Sequence, residues 1–333
     1  MCTSLALPLP DGRQLFGRTL DLDTHFGEAL TLTPRRYPFR FADGVQSTHH
    51  ALLGMAAVTD GYPLYAEAMN ERGLCLAGLR FAGNAVYADA PAAGKQNLAP
   101  WELIPYLLGR YATLNEVRNA LRDIRVVNRP FAADLPTAPL HWHIADACAS
   151  HGSLTLEITA AGMRVYDNPV GVLCNNPPFP YQLARYAEFS RLGNTPPKGS
   201  IELREQLTGL IGADVTSLGE GALGLPGDYS SPSRFIRAAC LRRWVAAWSL
   251  CEEGEGRASS SPVTRFFRIL AAVAPMAGAV LTERGDSHRT LYTVCMDGAA
   301  GVCHYHTEAQ PEVRSVAFSE PASDGDTLRI LQS

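Results

Sequence analysis

The chain lacks any apolar run long enough to cross a bilayer. The longest, Ile269 to Leu281, falls short of the roughly 20 residues a membrane helix needs and carries Pro275 and Gly278. It reads instead as a buried helix. An excess of either charge is also missing: 29 Lys and Arg stand against 33 Asp and Glu, a net of -4. That balance gives no general attraction to nucleic acid or to an anionic membrane, so any anion must be recognised by individual arginines. The eight cysteines include no C-x-x-C pair, which favours buried thiols over disulfides or zinc ligands. His141 and His143, like His304 and His306, are spaced to share a strand face. Neither pair has a nearby cysteine or a clear third ligand, so no metal is assigned. Only Met1 precedes Cys2, with no basic segment and long apolar stretch before it. Lipoprotein processing is therefore not expected, and the chain is expected to stay in a reducing cytoplasm.

What is present is a globular composition, 46% hydrophobic and 19% charged over 333 residues. This supports one large domain spanning 1–333. Strand-like alternation dominates the first eighty residues in QLFGRTL, EALTLT and GLCLAGLR. A helix is predicted around Trp101 to Arg110. A second begins at Thr113, where Thr113 and Glu116 form a capping-box pattern before Val117, Leu121 and Ile124. Strands return in SLTLEI, MRVYD and VGVLC. A helix around Phe235 to Leu250, a polar loop CEEGEGRASSSP, the helix near Ile269 and closing strands LYTVCM and GVCHYH complete the order. Strands, helices, strands, helices, strands suggests two packed sheets with helices outside.

Cys2 carries the chemistry. Removing Met1 leaves a thiol and a free α-amino group on one residue, with ordinary pKa values of about 8.5 and about 8. The amine can then serve as base to its own nucleophile. If Asp11-Gly12 is a two-residue hairpin turn, residues whose numbers sum to 23 face each other. Cys2 then lies opposite Asp21, and Arg18 opposite Leu5, which brings a carboxylate and a guanidinium beside the thiol. A bulge would shift the pairing by one residue.

The opening MCTSLALPLPDGRQLFGRTLDLD resembles that of the choloylglycine hydrolase family, N-terminal-nucleophile (Ntn) amidases that include bile salt hydrolases and penicillin V acylases. The resemblance continues through YAEAMNERGLCLAGLRFAG, LHWHIAD, YDNPVGVLCNNPPF and GLPGDYSSPSRFIRAA, nearly the whole chain. It implies an α+β fold, a four-layer αββα sandwich of two antiparallel sheets. It also implies a homotetramer, with residues 186–221 resembling the family's assembly loop. Carried over position by position, it makes Cys2 the nucleophile, Asp21 the holder of its α-amino group and Arg18 the cation beside the thiol. Asn175, first of NNPPF, would donate to the oxyanion, and Arg234 in SPSRF would be the second arginine of the site. Leu20, Phe26, Phe131 and Leu135 align with positions lining the acyl pocket.

Arg80 departs from the pattern. Within GLRFAG, bile salt hydrolases resemble one another in having Asn at this position, and penicillin V acylases in having Tyr. The family uses the backbone N–H here as second oxyanion donor, which any residue but proline supplies. The side chain offers a fork of donors for the carboxylate of glycine or the sulfonate of taurine. The resemblance thus implies cysteine-dependent hydrolysis of the amide bond in glycine- or taurine-conjugated bile acids, activated by loss of Met1 and requiring no metal or organic cofactor. The alternatives are a penicillin V or N-acyl homoserine lactone acylase and, in another class, a noncatalytic binding protein that keeps Met1.

Overall fold

The computed structural model describes residues 1–149, 152–196, 200–212, 219–255 and 260–331. Two antiparallel sheets lie face to face. The first runs, in spatial order, Val172–Leu173, Cys2–Pro8, Gln14–Leu22, Arg289–Asp297, Val302–Thr307 and Arg314–Ala317. The second runs Gly162–Asp167, Ser153–Thr159, Leu140–Asp146, Leu74–Arg80, Tyr62–Asn70, Leu52–Thr59, Glu28–Thr33 and Arg329–Leu331. Both sheets join strands from the two ends of the chain, so no cut divides it into separately paired halves.

Helices cover both outer faces. The helix Leu103–Arg110 packs on the eight-stranded sheet, while Ser231–Glu255 and Pro262–Ala271 pack on the six-stranded one. This is the αββα order expected of the fold. Strand alternation drives the layering: Phe16 and Leu20 meet Met55, Met69, Ala77 and Leu79 between the sheets, while Leu5 and Leu7 turn to the helix side of the first sheet, all within one buried cluster. Residues of opposite parity on the second sheet, among them Leu74, Leu76, Trp142 and Ile144, pack with Leu103, Leu107 and Leu108 of the helix.

The Thr113 cap forms as its sequence suggests. Its hydroxyl accepts from Glu116 N, and Glu116 Oε2 accepts from Thr113 N, at the start of the helix Leu114–Ala120. Ile124 instead opens a short strand, Ile124–Val126. The expected buried helix at Ile269 to Leu281 is corrected: the helix ends at Ala271, Met276 and Leu281 are exposed, and Gly278 is left-handed at φ +84°. Pro275 lacks the N–H that would extend the helix. The polar loop is shorter than predicted, because the preceding helix continues to Glu255 and residues 256–259 lie outside those described. Of the 186–221 segment, residues 197–199 and 213–218 also lie outside them.

The hairpin register is a second correction. Leu9 N donates to Arg13 O at 2.8 Å, Gly12 N donates to Leu9 O at 3.2 Å, and Gly12 has φ +85°. Pro10-Asp11-Gly12 is therefore a three-residue loop with glycine in the left-handed position. Facing residues sum to 22: Cys2 pairs with Leu20, and Ser4 with Arg18. Asp21 falls on the sheet face opposite the one expected, since a one-residue slip exchanges faces. Close approach of the third strand needs Gly17, where a Cβ would lie 2.0 Å from Val294 O.

Candidate active site

Cys2 begins the central hairpin and is 4% exposed. Arg18 lies diagonally across the pair on the same face, and its Nη2 donates to Cys2 Sγ. The same guanidinium donates through Nη1 to Gly78 O at 2.6 Å and through Nε to Thr19 O at 3.2 Å. A fixed cation thus stands at hydrogen-bond range of the sulfur.

The neighbouring short strand brings Asn175 to the other side. Ser4 pairs with Leu173 and Leu5 with Val172, so continuing that register sets Asn175 opposite Cys2. Cys2 N donates to Asn175 Oδ1 at 2.8 Å, and Asn175 Nδ2 donates to Arg80 O at 2.9 Å. Gln182 Nε2 secures the turn through the carbonyls of Asn175 and Pro177. Phe81 N donates to Pro139 O. By the alternation of an antiparallel ladder, the Arg80 N–H then points away from that strand. On that edge the pairing with Tyr62–Asn70 reaches only Ala77, leaving Arg80 N–H turned toward the space beside Asn175.

Asp21 and Arg234 occupy the helix side of the sheet. Arg234, fully buried on the helix Ser231–Glu255, donates through Nη1 to Cys2 O and Thr3 Oγ1 and through Nη2 to Asn175 Oδ1 at 2.9 Å. Its Nη1 lies 4.0 Å from Asp21 Oδ2. Thr290 and Thr19 donate to the two Asp21 oxygens, at 2.7 and 3.2 Å. Met1 pairs with Asp21 through both backbone groups, so Asp21 approaches the start of the chain by its backbone rather than across the thiol.

Six expected residues, Cys2, Arg18, Asp21, Arg80, Asn175 and Arg234, thus converge. Met1, Arg80, Asn175 and Arg234 line an open cleft of about 590 Å³ together with Arg284 and His288. Leu20 lies beside Cys2, buried in the adjacent strand. The other expected apolar contacts are not among the residues lining this cleft. Phe131 packs on the rings of Tyr62 and Trp101, while Phe26 and Leu135 are exposed.

No motif or spacing in the chain marks Glu67. A bulge in its strand pairs Met55 with Glu67 but Ala56 with Tyr65. Tyr65 and Glu67, two residues apart, therefore face opposite ways, and Glu67 points inward toward Arg18. Tyr292 likewise follows a register break after Thr290, which sends Thr290 to Asp21 and Tyr292 to Glu67. Nothing in the alternating letters marks either irregularity.

The two histidine pairs find other partners. His143 is held by the hydroxyls of Ser4 and Ser153, His141 by Glu157 and a stacked Phe81 ring, and His304 by Ser315. Among the described residues, no group of three or more His, Cys, Asp or Glu is placed to hold a metal. No described helix is long and apolar enough to cross a membrane.

Comparison with known proteins agrees with this geometry. The profile of the linear amide C-N hydrolases, choloylglycine hydrolase family, matches residues 2–329. The chain is 39% identical to a bile salt hydrolase/transferase of Lactiplantibacillus plantarum over 98% of this chain and 95% of that protein. It is 32% identical to a bile salt hydrolase/transferase of Clostridium perfringens, over 100% and 97%. The crystal structure of the C2A mutant conjugated bile acid hydrolase from Clostridium perfringens superposes with a TM-score of 0.86 at 30% identity, covering 100% of this chain and 97% of that one. Penicillin V acylase from Agrobacterium tumefaciens shares the fold at a TM-score of 0.70 and 19% identity, covering 96% and 87%. Matched by the family profile over residues 2–329 and by relatives over nearly its whole length, this chain belongs to the choloylglycine hydrolase family of linear amide C-N hydrolases.

Proposed function

We propose that the chain deconjugates bile acids, hydrolysing the amide that links the steroid acid to glycine or taurine. The observation that carries this is the Arg18–Cys2–Asn175 cluster, in a chain 39% identical to a bile salt hydrolase/transferase. Loss of Met1 converts Cys2 N from an amide into an amine able to accept a proton. Cys2 Sγ then attacks the substrate carbonyl, and its proton passes through that amine to the departing nitrogen. The C–N bond breaks and a thioester forms. Water, deprotonated by the same amine, cleaves the thioester and frees the bile acid. Asn175 Nδ2, with one hydrogen on Arg80 O and one unused, donates to the oxyanion together with Arg80 N–H. One such donor is worth about 3 kcal/mol of barrier. Asp21 and Arg234 hold the start of the strand in place.

The Arg80 guanidinium is exposed at the cleft and has no side-chain partner among the described residues. It suits the carboxylate or sulfonate of the leaving amine. Leu20, buried beside Cys2, serves the steroid body in this reading, whereas Phe26, Phe131 and Leu135 do not line the cleft and their expected acyl-pocket role is not carried forward. Eight unpaired cysteines suit a cytoplasmic setting. Exposed Leu207, Leu210 and Ile211, within the 186–221 segment, suit a homotetramer contact.

The test is product release from glycocholate, taurocholate and penicillin V side by side, with Met1 loss verified by intact mass. Faster turnover of both bile salts is expected. Preference for penicillin V moves the chain to the acylases. Silence on all three from Cys2-started protein removes the reading.

A further inference from the structure

Of the acidic groups that act on the buried Arg18 guanidinium, Cys2 and Glu67 weigh most, ahead of Tyr292 and Asp21. One Nη faces the Cys2 sulfur, and the other lies 3.4 Å from Glu67 Oε2. The side chains of Arg18 and Glu67 are 1% and 0% exposed. Tyr292 donates its hydroxyl to the same Glu67 oxygen at 3.1 Å, while Oε1 is buried without a hydrogen-bond partner among the described residues. An ionised carboxylate can accept about four hydrogen bonds, so this site leaves the anion underserved. Burial pushes Glu67 up to about 7, with Arg18 and Tyr292 pulling the other way. Burial also opposes charge on Arg18, but the Cys2 sulfur and Glu67 outweigh it and hold the guanidinium protonated.

We propose that Glu67 is a positioning residue that shares Arg18 with Cys2 as a common counter-cation, so that the two acids ionise reciprocally. Two anions facing one cation repel each other, and each raises the cost of ionising the other. An ionised Glu67 draws on the guanidinium and holds back the thiolate. A thiolate at Cys2 favours protonated Glu67. When Cys2 becomes a neutral thioester, Glu67 is left as the anion of Arg18, and the buried guanidinium keeps a partner through the cycle. The titratable groups around Glu67 are Arg18 from the strand Gln14–Leu22, Tyr292 from the strand Arg289–Asp297 and Cys303 from the strand beyond it; Cys2 meets it through Arg18, on which Asp21 and Tyr292 also act. Its partners on its own sheet, Met55 and Ala77, carry no charge.

This inference rests on Cys2 being the nucleophile of the proposed function, but its test needs no substrate. Cys2 alkylation by iodoacetamide is followed by peptide mapping across about pH 5 to 9 in Met1-free wild type, E67Q and E67D. Removing the competing carboxylate in E67Q is expected to move the midpoint down by on the order of one pH unit, with E67D returning it toward wild type. A purely structural Glu67 changes rates without moving the midpoint. An unchanged midpoint, or one moved upward, overturns the proposal. Should E67Q not fold, infrared titration of the buried carboxyl in wild type and C2A decides: a lower midpoint in C2A is expected, and identical midpoints overturn it. Failure to cleave bile salts leaves both readouts intact, so the two ideas fail separately.

Discussion

Arg234 Nη2 lies 2.9 Å from Asn175 Oδ1. Since a guanidinium only donates, this contact fixes the amide with its oxygen toward Arg234 and its NH2 toward Arg80 O and the cleft. Arg234 therefore acts on Asn175 without facing the substrate carbonyl. Asn175→Ala is expected to lower kcat by about 10²- to 10³-fold with little change in KM. Arg234→Ala is expected to lower kcat in the same direction and also to destabilise the fold, by about 3–5 kcal/mol, because it strips the buried Asp21 of its cation. Steady-state kinetics and urea unfolding separate the two. Wild-type kcat in Arg234→Ala would break the link.

The nucleophile assignment predicts that Cys2→Ala retains the fold and loses hydrolysis to below about a thousandth of wild type. Circular dichroism and turnover of a conjugated bile salt check both halves. Protein that keeps Met1 is expected to be equally silent, because its Cys2 nitrogen remains an amide. Turnover by either form refutes the mechanism.

Arg80 sets a prediction about the leaving group. Arg80→Asn is expected to raise KM for glycine and taurine conjugates about fivefold, the size of an exposed charged contact of about 1 kcal/mol, while kcat stays near wild type because the backbone N–H is kept. Unchanged KM for both conjugates removes the side chain from substrate recognition.

Two buried groups give stability opposite slopes with pH. Burial, with Arg242 and His141 adding to it, pushes His143 from 6.5 down to about 3. The unfolded chain takes up that proton first, so stability present above 6.5 is lost as pH falls toward 3. Glu67 is raised from 4.5 to about 7, so its contribution is full below 4.5 and is lost as pH rises to about 7. Urea midpoints between about pH 7 and 4.5 are expected to fall more steeply in E67Q than in wild type and less steeply in His143→Gln. Parallel curves would show that neither group is linked to folding.

Much was legible without coordinates because it depends on local chemistry and recurring motifs. A cysteine on the second residue marks an expected nucleophile once the motifs along the chain are read with it. The Thr113 cap needs only a hydroxyl and a carboxylate three residues apart, and alternation in the core strands fixed their inward faces. The hairpin was legible only to within one residue: Asp11-Gly12 marks a turn, but whether Pro10 belongs to the loop depends on how the strands twist against their neighbours.

By itself the sequence determined the sandwich and six of the residues that meet at the Cys2 site. Tertiary structure alone decided that Asp21 lies across the sheet from the thiol, that Arg234 orients Asn175, and that a bulge turns Glu67 onto Arg18. Side-chain direction in a strand reverses with every residue, so a single unpaired residue at a turn or bulge reassigns which groups meet. Such irregularities are settled by packing between strands far apart in the chain, which no local pattern records.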